Sequence, residues 1–84
     1  MNASDSSVLE KLGKMIAAAR KSAKLSRRAL AAKLSYSATT LWRIESGKRD
    51  MGLFELKQLF AACGFIYTLR VVKADDTDAV IAVL

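Results

Sequence analysis

An 84-residue chain with fourteen lysines and arginines, eight acids and no histidine reads as one small domain of net charge +6. Such a chain buries only about 60% of the surface it exposes when unfolded, so it gains much from pairing with a second copy. Its single cysteine excludes an internal disulfide, the lack of histidine removes zinc-ligand spacing, and no uncharged run approaches the ~20 residues of a membrane span.

Hydrophobic residues make up 52% of the chain, which favours a packed core over a disordered tail. Cys63 falls on an apolar helix face and reads as a small buried hydrophobe. The segment Met1 to Ser7 lacks the basic and apolar stretches of a secretory leader, so a soluble, cytoplasmic, nucleoid-associated protein is expected. Between Lys11 and Arg49 stand eleven basic residues and one acid, Glu45. A block of that sign favours a polyanion through counterion release, and nucleic acid supplies one. The plainer reading is a solvated basic face without a ligand; against it, the block coincides with a turn motif.

In chain order, residues 1–7 are polar and expected to be flexible. Ser7-Val8-Leu9-Glu10 reads as a capping box, and a first helix runs from it to about Ala23 with Leu9, Leu12, Ile16 and Ala19 on one face. Ser26 caps a second helix, roughly Arg27 to Leu34, and Ser37 caps a third, roughly Ala38 to Ser46. Leu30, Ala31, Leu34, Leu41 and Ile44 recur at helical spacing across the polar break Ser35-Tyr36-Ser37, and Gly47 closes the third helix. Two short helices joined by a tight turn are built to lay the second in the major groove of DNA. After the loop Asp50-Met51-Gly52, a fourth helix from Leu53 to Ala62 turns Leu53, Leu56, Phe60 and Cys63 inward and stops at Gly64.

The period then changes. Phe65 to Val72 is rich in aromatic and β-branched residues and predicts a strand with Phe65, Tyr67, Leu69 and Val71 on one face. Lys73 to Asp78 reads as a polar turn and Ala79 to Leu84 as an apolar end able to form a second strand. A lone strand or hairpin has unpaired edges, so residues 65–84 read as a dimerisation segment following a DNA-binding unit at 8–64.

The residues so placed resemble the Xre/Cro-like helix-turn-helix family, which includes the lambdoid phage repressors. The likeness spans Leu12 to Gly64. It is carried by Leu12-Gly13, Ile16 and Arg20, by Leu25-Ser26, Leu30-Ala31 and Leu34, by Leu41, Arg43-Ile44-Glu45 and Gly47, and by Leu53, Leu56 and Leu59. The C-terminal strand resembles that of HipB-type antitoxins, whose strands pair across a dimer. Two departures stand out: Arg27 replaces the Gln common at the second position of the motif, and Ser35 replaces a turn Gly. The resemblance implies a mainly α fold, a four-helix Cro/C1-type domain with a C-terminal β-strand or hairpin used for dimerisation.

In this docking mode the start of the third helix faces base edges, which selects Ser37, Ala38 and Thr39, with Trp42 and Arg43 one turn on. Arg43 suits bidentate reading of guanine, and Ala38 or the Thr39 methyl suits a thymine methyl. The alternative for Arg43 is a phosphate contact or a solvated charge. For Trp42 the choice lies between stacking on backbone sugars and packing beside Tyr36. Arg27, Arg28, Lys48 and Arg49 flank the recognition helix as phosphate clamps, which set register without reading sequence. The resemblance also implies an architectural ion pair between Arg20 and Glu45.

The expected function is a sequence-specific regulator, a repressor, binding an inverted-repeat operator in double-stranded DNA as a homodimer. The alternative is an antitoxin that neutralises a toxin protein and represses its own operon, with residues 73–84 available for that partner. Without histidine, paired acids or a phosphate loop, no enzyme, cofactor or metal is expected.

Overall fold

All four helices end in the same way, and that shared ending sets the path of the chain. The computed structural model describes residues 3–73 and 76–83, as α1 (Ala3–Ser22), α2 (Arg27–Lys33), α3 (Ala38–Glu45), α4 (Leu53–Ala62), β1 (Arg70–Lys73) and β2 (Asp76–Val83). Two residues past each helix the backbone turns left-handed, at Lys24 (φ 59°), Ser35 (φ 59°), Gly47 (φ 72°) and Gly64 (φ 85°). The next amide then donates to a carbonyl five residues back: Leu25 to Arg20 at 3.1 Å, Tyr36 to Ala31 at 2.9 Å, Lys48 to Arg43 at 2.9 Å, and Phe65 to Phe60 at 2.9 Å. This Schellman closure satisfies carbonyls that a helix end leaves open. At Lys24 and Ser35 it places an L-residue where its Cβ costs ~1–2 kcal/mol.

The starts of α2 and α3 follow from their caps. Ser26 Oγ accepts from the Ala29 amide and Ser37 Oγ from the Thr40 amide, each at 3.0 Å. The start of α1 does not follow the expected cap. It begins at Ala3, so Ser7 and Glu10 lie inside the helix rather than in a capping box. No Gly or Pro interrupts residues 3–6, and extending a formed helix gains one hydrogen bond per residue fixed.

Ile16, Ala19, Leu30, Ala31, Leu41, Ile44, Leu56, Leu59, Phe60 and Cys63 form one buried cluster drawn from all four helices. Burial pushes the pKa of the Cys63 thiol up, in keeping with its expected role as a core hydrophobe. Leu53 is not inward as expected but 50% exposed. A helical Cβ tilts toward the N-terminus, so a side chain at the first position of α4 points away from the core beneath the later turns. The buried stripe of α4 therefore starts at Leu56 and includes Leu59.

Gly13 explains how closely α1 crosses α3. A Cβ at this position would lie 2.4 Å from the Glu45 carbonyl oxygen and 2.7 Å from that of Ile44. Only a residue without a side chain lets the end of α3 rest against α1 there.

The C-terminal strand is shorter than expected. Residues 65–69 join no ladder, because the Phe65 amide closes α4 and Tyr67 stacks on Phe60 with ring centroids 5.9 Å apart. Tyr67 and Leu69 are half-buried, whereas Phe65 and Val71 are exposed, so the expected four-residue face is not continuous. β1 pairs antiparallel with β2 in the register Arg70↔Val83, Val71↔Ala82, Val72↔Val80 and Lys73↔Asp76, with irregularities on both sides of Val72. β2 starts at Asp76, inside the segment read as a turn, while residues 74, 75 and 84 lie outside the described set. The sheet has two strands, so each leaves one edge open among the described residues. Neither strand packs extensively on a helix there.

Candidate nucleic-acid interface

α3 has two faces. Leu41 and Ile44 are fully buried, and Glu45 is buried beside them. Ala38, Thr39, Trp42 and Arg43 are exposed, and their spacing puts them together on the opposite stripe of one helix. Ser37 belongs to the cap. Its Oγ accepts from the Thr40 amide and lies 2.9 Å from the Thr40 hydroxyl, so much of its bonding capacity is engaged within the helix start. Arg43 takes part in no ion pair among the described residues. Trp42 is 45% exposed rather than part of the core, and the Lys48 ammonium sits 5.6 Å from its ring centre.

Behind this surface stands a buried charge cluster. Arg20 Nε donates to Glu45 Oε2 at 2.7 Å and Arg20 Nη2 to Oε1 at 3.1 Å, joining α1 to α3. The remaining terminal nitrogen, Nη1, donates to the Leu25 carbonyl at 3.0 Å, while the Arg20 carbonyl accepts from the Leu25 amide. One side chain thus fixes both α3 and the turn into α2. Every buried side-chain polar atom among the described residues has a partner. That matters because an unpaired charge in this position would carry its full desolvation penalty.

The four expected phosphate clamps divide into two kinds. Arg28 and Lys48 are exposed and form no ion pair among the described residues. Arg27 donates through Nε to Glu45 Oε1 at 3.0 Å. Arg49 is half-buried, donates to Glu55 Oε2 at 3.1 Å and lies 5.7 Å from the Tyr36 ring centre. Its charge is therefore partly committed within the protein.

Glu55 anchors a second cluster that the sequence reading missed. Its carboxylate accepts from the Tyr36 hydroxyl, from Arg49, and from the Gly52 amide at 3.1 Å. The Tyr36 bond contributes most to holding the Glu55 pKa down at about 2, with Gly52 and then Arg49 adding to it. Tyr36 is pushed up, first by its own burial and then by the Glu55 carboxylate. The cluster ties the turn before α3 to the start of α4. Glu three residues after a Gly cap was a visible signal for part of it. Nothing local announced Tyr36 as the other partner.

Among the described residues no three His, Cys, Asp or Glu side chains gather as a metal site, and no helix is long and apolar enough to cross a membrane. A family model described as a helix-turn-helix domain matches residues 11–71. No curated protein and no solved structure matches the chain.

Proposed function

The chain belongs to the helix-turn-helix domain family, and from that premise we propose that it is a repressor that binds an inverted-repeat operator as a homodimer. The observation that carries this reading is the exposed stripe of α3, where Ala38, Thr39, Trp42 and Arg43 stand together with the Lys48 ammonium against the Trp42 ring, while Arg28 is exposed at the start of α2. The only acid between Lys11 and Arg49 is Glu45, and it is buried under two guanidiniums. A DNA backbone meeting this face encounters cations and no exposed carboxylate from that stretch. Phosphate contacts position the helix, and Arg43 with the small side chains of Ala38 and Thr39 reads the groove.

A homodimer is supported by the hairpin. Among the described residues its two edges are open, and Phe65 ahead of it and Val71 within it are exposed and need covering. A two-fold contact there also allows two recognition helices to meet half-sites about 34 Å apart. Repression would follow from occlusion of polymerase in the cytoplasm.

The test is a footprint on the DNA upstream of its own gene, followed by Arg43→Ala. The substitution should cost ~1–3 kcal/mol on the protected sequence and relax preference at one base pair per half-site. An equal loss on protected and random DNA would make Arg43 a phosphate contact. Absence of any protected sequence, with the protein folded, would overturn the operator-binding reading.

A further inference from the structure

We propose that Glu45 is a positioning residue for DNA binding: it holds Arg27 by its Nε, so that the terminal nitrogens form a preset fork for a backbone phosphate. The proposal rests on the DNA-binding reading above and assigns to the buried carboxylate a second task besides joining α1 to α3. Arg20 alone reaches both oxygens of Glu45, at 2.7 Å and 3.1 Å, so the architectural pair is complete without Arg27. Arg27 nevertheless donates to Oε1 at 3.0 Å from a side chain that is 47% exposed, against 3% for Glu45. Its contact uses Nε alone, and Nη1 and Nη2 donate to no protein atom among the described residues. One end of the guanidinium is fixed on the protein and the other faces solvent.

Electrostatics permits the second contact. A single carboxylate lies between two guanidiniums, so the cluster carries a net positive charge and the acid is shielded from an approaching anion. A planar guanidinium held at one edge loses less freedom when it binds phosphate than an unrestrained side chain would. Lysine cannot reproduce this, because its one ammonium must serve both Glu45 and the phosphate from a single point. The Arg that departs from the family's usual Gln is thus the residue type that the neighbouring carboxylate can use.

The experiment compares the full-length chain with Arg27→Lys and Arg27→Ala on a random-sequence duplex of about 30 base pairs at two salt concentrations. Both variants should bind about tenfold more weakly, the scale of one charge-assisted hydrogen bond lost, while their thermal midpoints stay near that of the parent. Arg27→Lys binding as tightly as the parent would overturn the proposal, leaving Arg27 only its charge. Parental affinity in Arg27→Ala would remove the residue from the interface and overturn it too. If the folded parent binds no duplex at all, the DNA reading itself fails, and this proposal with it. A second measurement is independent of affinity. The Arg27 Nε–H signal should exchange slowly with solvent in the free protein and remain slow with DNA bound, whereas that of Arg43 exchanges fast in the free protein. Equal, fast exchange at both arginines in the free protein would show that Glu45 holds nothing.

Discussion

The helical part of the chain and its C-terminal hairpin satisfy their backbones by opposite means. Each helix closes on itself at its C-terminal end and buries one stripe in a shared core, and α2 and α3 are also capped by their own serines. Two acids, Glu45 and Glu55, then lock those helices in place through partners up to twenty-five residues away. The hairpin instead depends on a single ladder with an irregular register, and among the described residues it leaves an edge open on each strand. The surface proposed to face DNA is therefore complete within one chain. The hairpin's open edges among the described residues are proposed to be covered by a second copy.

The sharpest way to test that contrast is to break the helical lock. Glu45→Ala removes the common partner of Arg20 and Arg27 and leaves Arg20 buried without a counter-charge. Breaking a buried pair costs ~3–5 kcal/mol, a large share of the ~5–15 kcal/mol a whole domain has. Urea unfolding should show a far lower midpoint than for Glu55→Ala, whose partners Tyr36 and Arg49 are only part-buried. Equal midpoints would mean that the two clusters do not differ in the way their burial indicates.

Removing the hairpin should have the opposite signature. Ending the chain after Leu69 keeps the Tyr67–Phe60 stack and the whole helical core. The helical unit should still fold and unfold cooperatively, losing only the concentration-dependent part of its stability that pairing contributes. Sedimentation should give a monomer, and operator affinity should fall about a hundredfold or more, because the two recognition helices no longer share an effective concentration. A truncated chain that still sediments as a dimer would move the interface to the helices.

What was legible in the sequence divides along the same line. The bounds of α2, α3 and α4 rest on Ser26, Ser37, Gly47 and Gly64, residues that act within a few positions of themselves, and local patterns report such residues well. The exposed stripe of α3 followed from the same periodicity that buries Leu41 and Ile44. Contacts made through space were hidden. The role of Gly13 depends on the carbonyls of Ile44 and Glu45 arriving over it, and the link from Tyr36 to Glu55 crosses nineteen residues. Phe65 to Leu69 has the composition of a strand, yet Phe60 draws Phe65 and Tyr67 away from any ladder. Tertiary packing overrode β propensity there.

A pH titration separates the second lock from the rest of the molecule. The folded-state pKa of Glu55 lies near 2, below its ordinary 4.5. A depressed carboxylate contributes stability that is fully present above the unfolded pKa and is lost as pH falls through the folded one. Wild type should therefore lose stability between pH 4.5 and about 2 more steeply than Glu55→Gln, which has no such proton to bind. The difference should be modest, because the group is partly solvated and screened. Parallel acid curves for the two proteins would show that the Tyr36 and Gly52 bonds do not persist in solution.

The smallest effect expected is a gain, and it lies at the turn leading into α3. Ser35 holds φ at 59° to close α2, in a region that costs an L-residue ~1–2 kcal/mol. Replacing it with glycine relieves that cost but adds ~0.5–1 kcal/mol of backbone freedom to the unfolded chain. The first term is the larger, so Ser35→Gly should stabilise by roughly 0.5–1 kcal/mol, visible as a higher urea midpoint with an unchanged slope. Gly64, at the junction with the hairpin, provides the converse case. It holds φ at 85° and has open space around a would-be Cβ, so Gly64→Ala introduces backbone strain without a clash and should destabilise by a similar amount. Opposite signs at these two helix ends would show that a shared closure, not the particular neighbours, governs both. If Ser35→Gly destabilises instead, its hydroxyl makes a contact in solution that outweighs the strain of its backbone.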